Sequence, residues 1–109
     1  MSVQIQLLGQ DGKLHTYEEK HITARKRLEM MDLVREKYPD ASSREFYEIE
    51  LDFVASLFED ERVTRETILD GVEAWDLDNF MEGVMAQLMG YDPKVILESE
   101  SPEKMLSEE

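Results

Sequence analysis

Twenty-six Asp and Glu residues, two histidines and no cysteine make up the reactive side chains of this 109-residue chain. Without cysteine, disulfides, thiolate metal sites and thiol nucleophiles are excluded. His15 and His21 lie across a strand-to-helix junction, and no motif places a nucleophilic serine beside either. Two histidines are also too few for a multi-histidine metal site. Asp76 and Asp78 begin like a calcium loop, but Phe80 and Met81 stand where that loop needs a ligand and a glycine. Gln87 replaces its terminal Glu. No glycine-rich phosphate loop is present. Carboxylates this numerous become neighbours by chance, so a pair alone does not indicate acid–base catalysis. The sequence predicts no enzyme and no cofactor.

What remains is the chemistry of contact. Met81, Met85 and Met89 recur every four residues on one helix face. Unbranched, polarisable thioethers either fill gaps between helices or line a groove that repacks around an apolar partner helix. The two roles are compatible, because a helix can bury one edge and present the other. Together with Tyr47 and Leu51 on a preceding helix, Met81, Met85 and Met89 form the expected client-binding face.

Charge is unevenly placed. Residues 1–44 carry 8 Lys and Arg against 7 Asp and Glu, whereas residues 45–109 carry 4 against 19. An acidic surface of this kind repels phosphates, so nucleic acid is not an expected partner. It promotes solubility and attracts basic partners. The basic cluster Arg25-Lys26-Arg27 reads as a solvated surface. No apolar run approaches the length of a membrane span, and no secretory signal pattern is seen, so a soluble cytoplasmic protein is expected.

These residues need a scaffold, and the pattern predicts a mainly α fold with a small N-terminal β-hairpin, an α+β bundle of about four helices. One globular domain is expected over residues 1–90, with 91–109 an acidic flexible tail carrying Val95-Ile96-Leu97. Val3, Ile5 and Leu7 alternate with glutamines, the period-two pattern of a half-buried strand. Gly9-Gln10-Asp11-Gly12 marks a turn, and the hairpin should span residues 3–17. Such a hairpin is marginal alone and must lean on something else.

A first helix is expected at about 24–38, capped by Thr23 and stopped by Pro39. The second, at 43–59, opens on a Ser42–Glu45 capping box. Its stripes, Phe46-Ile49-Phe53-Leu57 and Tyr47-Leu51-Val54-Phe58, are too wide for one neighbour, which makes it the central helix and leaves room for self-association. A third at 65–72 follows the cap Thr64, with Gly71 near its end. A fourth at about 76–89 is closed by Gly90.

The hairpin, Ile22-Thr23-Ala24-Arg25, the helix Phe46–Phe58 and the segment Val63–Val72, with its Leu69-Asp70-Gly71-Val72 turn before an amphipathic helix, resemble the tail assembly chaperones of long-tailed bacteriophages of Gram-positive hosts. The resemblance covers roughly residues 3–90. It departs at Glu59–Arg62, where such proteins often carry Gly. The resemblance implies binding of the tape measure protein before the tail tube polymerises around it. It also implies a frameshift-extended longer form that recruits major tail protein, action in the host cytoplasm, and absence from the mature virion. From the residues alone, an acidic DNA mimic that inhibits a basic host factor is the competing reading, and its support is the net charge of residues 45–109. A structural tail or connector protein is a third.

Overall fold

The alternation of Val3, Ile5 and Leu7 with polar residues becomes a strand in the computed structural model, which describes residues 2–91. Strand β1, Val3–Leu8, buries those three side chains and turns Gln4, Gln6 and Leu8 outward. It pairs antiparallel with β2, Leu14–Glu19, placing Ile5 opposite Tyr17 and Leu7 opposite His15. The hairpin therefore runs two residues past the expected Tyr17. The Gly9 N–H donates to the Lys13 carbonyl at 2.9 Å, and the Gly12 N–H donates to the Gly9 carbonyl at 3.0 Å. Gly12 takes φ 78°, the left-handed geometry that a loop of this length needs to rejoin the strands.

Four α-helices follow among the described residues: α1, Ala24–Met31; α2, Ser43–Ser56; α3, Arg65–Gly71; and α4, Leu77–Leu88. Helix α2 begins on the expected reciprocal cap. The Glu45 N–H donates to Ser42 Oγ at 3.1 Å, and the Ser42 N–H donates to Glu45 Oε1 at 3.0 Å. Leu51 and Val54 on α2 have 0 % exposure, and Phe58 just beyond is buried with them. The other stripe, Phe46, Ile49 and Phe53, is half-buried. Burial of each large side chain stabilises by roughly 1.5–3 kcal/mol, so α2 anchors the core together with Ile68, Met81 and Val84.

Helix α3 opens on a second reciprocal cap, Thr64 with Thr67. It ends against β1. A Cβ on Gly71 would stand 2.9 Å from the Leu7 Cβ and 3.1 Å from the Leu8 backbone nitrogen and oxygen, so only glycine permits this approach. Helix α4 closes as expected at Gly90, φ 97°. The Tyr91 N–H donates to the Ala86 carbonyl at 3.1 Å and the Gly90 N–H to the Gln87 carbonyl at 3.0 Å, the paired bonds of a Schellman ending.

The first helix differs from its expected span of 24–38. It stops at Met31, and the chain continues through a single 3-10 turn at Arg35–Lys37 before Pro39. None of its residues is buried, and Thr23, though at the N-cap position, makes no side-chain cap bond. Its first turn has no acidic residue to meet the helix dipole and its last turn has no basic one. Without a side-chain cap or a buried face, the helix has only marginal intrinsic propensity to extend it. The tail expected at 91–109 lies, beyond Tyr91, outside the described residues.

Candidate functional site

The expected methionine face is not one surface. An α-helix turns about 100° per residue, so each step of four residues drifts about 40° past a full turn. Along α4 that drift carries the row out of the core. Met81 is 4 % exposed, Met85 is half-buried against the core, and Met89 is 45 % exposed. Leu51, at 0 %, is interior. Met81 and Leu51 thus hold the fold together, and neither presents surface to a client in this structure.

Tyr47 sits where α2 meets α4. Its hydroxyl donates to the Asp78 carboxylate at 2.7 Å, and that bond raises the phenol's pKa above its ordinary value. Nearby, Glu50 is raised as well, first by partial burial and then by the negative charge of Asp78. This junction joins two helices through one proton held between Tyr47 and Asp78. His15 lies at the hairpin turn instead, with Nε2 3.0 Å from the Asp11 carboxylate, which holds Asp11 below its ordinary pKa. Among the described residues, no three His, Asp or Glu side chains are grouped to hold a metal ion.

A concavity lies on the other flank of α4. A groove of about 720 Å³ runs between β1 and α4, lined by Gln6 and Leu8, by Val72 after α3, and by Phe80, Gly83 and Gln87. A second concavity, about 290 Å³, lies at the start of α1 and includes Lys20 and Arg27. The groove's apolar wall continues onto exposed Leu8 and Leu14 at 41 % and 65 %. Its charged lining residues are Glu73 and Asp76, both acidic. Between those two in sequence stands Trp75, 79 % exposed on a 3-10 turn at Ala74–Asp76. At the far end, the Gln87 side chain reaches β1. The Gln4 N–H donates to its Oε1 at 2.8 Å, and its Nε2 donates to the Gln4 carbonyl at 3.0 Å.

Sequence reasoning missed this groove. One signal for it was in the letters, a glycine inside a helix that its neighbours would otherwise continue. It identifies no concavity until β1 and α4 are set side by side.

The described residues thus form a small α+β scaffold with an apolar groove rimmed by Glu73 and Asp76. The chain belongs to the phage tail chaperone protein family, whose model matches residues 1–109. It is thus a chaperone of phage tail assembly. No curated protein and no solved structure matches it. No helix among the described residues is long and apolar enough to cross a membrane.

Proposed function

We propose that this chaperone binds the tape measure protein during tail assembly and takes apolar segments of that client into the groove between β1 and α4. The groove supports this reading because it joins an apolar wall to an acidic rim of Glu73 and Asp76, and the exposed Trp75 stands between those two in sequence. Exposed tryptophan is enriched among the anchors of protein interfaces. Covering apolar client surface yields about 25 cal/mol per Å², less the entropy lost on association. Many copies along one long client then act through avidity. Met85, Met89 and Tyr47, the part of the expected face that reaches the surface, add a softer contact on the opposite flank of α4.

In this reading the protein works in the host cytoplasm and is absent from the finished virion. A frameshift-extended form recruits major tail protein, and self-association multiplies the grooves presented to one client. Neither nucleic acid nor membrane takes part.

Co-expression with the phage's tape measure protein tests the proposal. The wild type should keep the client soluble and co-purify with it in high salt. Trp75→Ala and Leu14→Asp, both at exposed positions, should lose the client while circular dichroism stays unchanged. An insoluble client beside the wild type rejects the proposed partner. Full retention by both variants rejects the groove. Salt-sensitive capture of a basic host factor would favour the DNA-mimic reading instead.

A further inference from the structure

We propose that the groove's occupant is an extended strand, added to the free edge of β1 at Gln6 by a short apolar client segment with basic flanks. This inference rests on the client-binding reading above and states how the client is held.

The register defines the edge. The Gly9 N–H bonds to Lys13 on the β2 side, whereas the Gln4 N–H and carbonyl bond to the Gln87 side chain on the opposite side. Antiparallel ladders alternate residue by residue, so Gln4, Gln6 and Leu8 all direct their backbone groups away from β2. Two of those three positions are covered. The Gln87 amide occupies Gln4 as a neighbouring strand would, and the end of α3 at Gly71 closes on the Leu8 backbone. Gln6 lies between them, its outward N–H and carbonyl facing the groove, and no hydrogen bond from the described residues reaches them. Proteins ordinarily cover or blunt such edges, and here one residue of edge is left open between two covers.

Gly83 is the second, independent observation. It lies inside α4, where glycine costs about 1 kcal/mol relative to alanine. Gly71 earns its place by close packing; Gly83 does not, because a Cβ built there meets nothing within 4 Å. That space opens into the groove. An occupant filling it accounts for a glycine that no internal contact requires.

Charge selects the occupant. The groove's charged lining is Glu73 and Asp76, with no Lys or Arg among the described lining residues. As an occupant of the acidic groove, a second copy at net −14 is disfavoured, as is the chain's own 92–109 segment with six acidic residues against two lysines. An extended backbone satisfies the Gln6 N–H and carbonyl; a client helix, with its backbone groups already paired, does not.

Overlapping 15-residue peptides covering the phage's tape measure protein, added to the full chain and followed by Trp75 fluorescence and amide hydrogen exchange, test this. The bound peptides should be apolar and basic-flanked, and should slow exchange of the Gln6 amide. Gly83→Leu fills the groove with a good helix former, so binding should fall at least about tenfold while thermal stability holds or rises. Gln6→Pro removes the outward N–H without breaking a ladder bond, and should also weaken binding about tenfold. Wild-type affinity in both variants overturns the proposal while leaving tape measure binding intact. Loss in Gly83→Leu with no effect of Gln6→Pro and no slowed Gln6 exchange means a helix fills the groove, and also overturns it. If the wild type co-purifies with no tape measure protein at all, the functional reading itself fails.

Discussion

Helices α1 and α2 are both amphipathic in sequence, yet only one of them finds a core. Helix α2 is capped at both Ser42 and Glu45 and buries Leu51 and Val54 completely. Helix α1 is uncapped by side chains, buries none of its residues, and leaves Leu28 and Met31 at 63 % and 64 % exposure. A row of apolar residues at helical spacing therefore identifies a face but not the partner for it. The partner is decided by elements distant in sequence, and α2 lies among them while α1 lies outside.

The sharpest way to break this contrast is to truncate one leucine in each helix. Leu51→Ala should destabilise the domain by about 2–5 kcal/mol, because the emptied site is enclosed on every side. Leu28→Ala should change stability by no more than about 0.5 kcal/mol. Urea denaturation of both variants measures the difference. An equal loss would mean that α1 is covered in solution by something the isolated fold does not contain.

The join between α3 and β1 comes next in size. Gly71→Ala pushes a methyl to 2.9 Å from the Leu7 Cβ and into the Leu8 backbone, which cannot yield as a side-chain tip would. A loss of about 1–3 kcal/mol is expected, read from the same denaturation curves. Gly83→Ala, with nothing near its new methyl, should instead stabilise by up to about 1 kcal/mol. Two glycines in neighbouring elements thus report opposite signs.

The caps extend the comparison to smaller effects. Ser42→Ala removes a bond of 3.1 Å to the Glu45 N–H and should cost about 0.5–2 kcal/mol. Thr23→Ala removes no cap bond and should fall within the error of a thermal melt. A matching loss at Thr23 would show that its hydroxyl caps α1 in solution after all.

Much of this was legible in the sequence, for a physical reason. Strand alternation in Val3–Leu7, the Ser42–Glu45 box, the Thr64 cap and the Gly90 ending are local, involving residues within a few positions of one another. The methionine row lies along one helix, but its 40° drift distributes Met81, Met85 and Met89 among core, boundary and solvent. Whether a face is buried depends on crossing geometry that no short window contains. The groove is more remote still, since Gln4 and Gln87 are 83 residues apart in sequence. Glu59–Arg62 shows the same limit on a smaller scale. It reads as a polar linker, yet its Glu59 N–H donates to Glu19 at 2.9 Å and its Arg62 guanidinium lies 5.3 Å above the Tyr17 ring.

That linker supplies the finest test, through pH. Asp60 accepts from the Arg62 side chain at 2.7 and 3.0 Å and from the Arg62 backbone N–H at 2.9 Å. These bonds, the guanidinium's first, lower its pKa from 3.8 to about 2. A carboxylate with a depressed folded pKa binds fewer protons folded than unfolded between those two values. Its stabilising effect is therefore complete above about pH 4 and is lost as the pH falls through about 2. The pair is solvent-exposed, so the effect is small and salt-sensitive. Asp60→Asn should lower the melting temperature slightly at pH 7 in low salt, and the gap to the wild type should close as the pH approaches 2. A gap that persists unchanged at pH 2 would place the contribution of Asp60 in its turn geometry, which Asn retains in part, rather than in the charge that meets Arg62 and ties the linker to the hairpin.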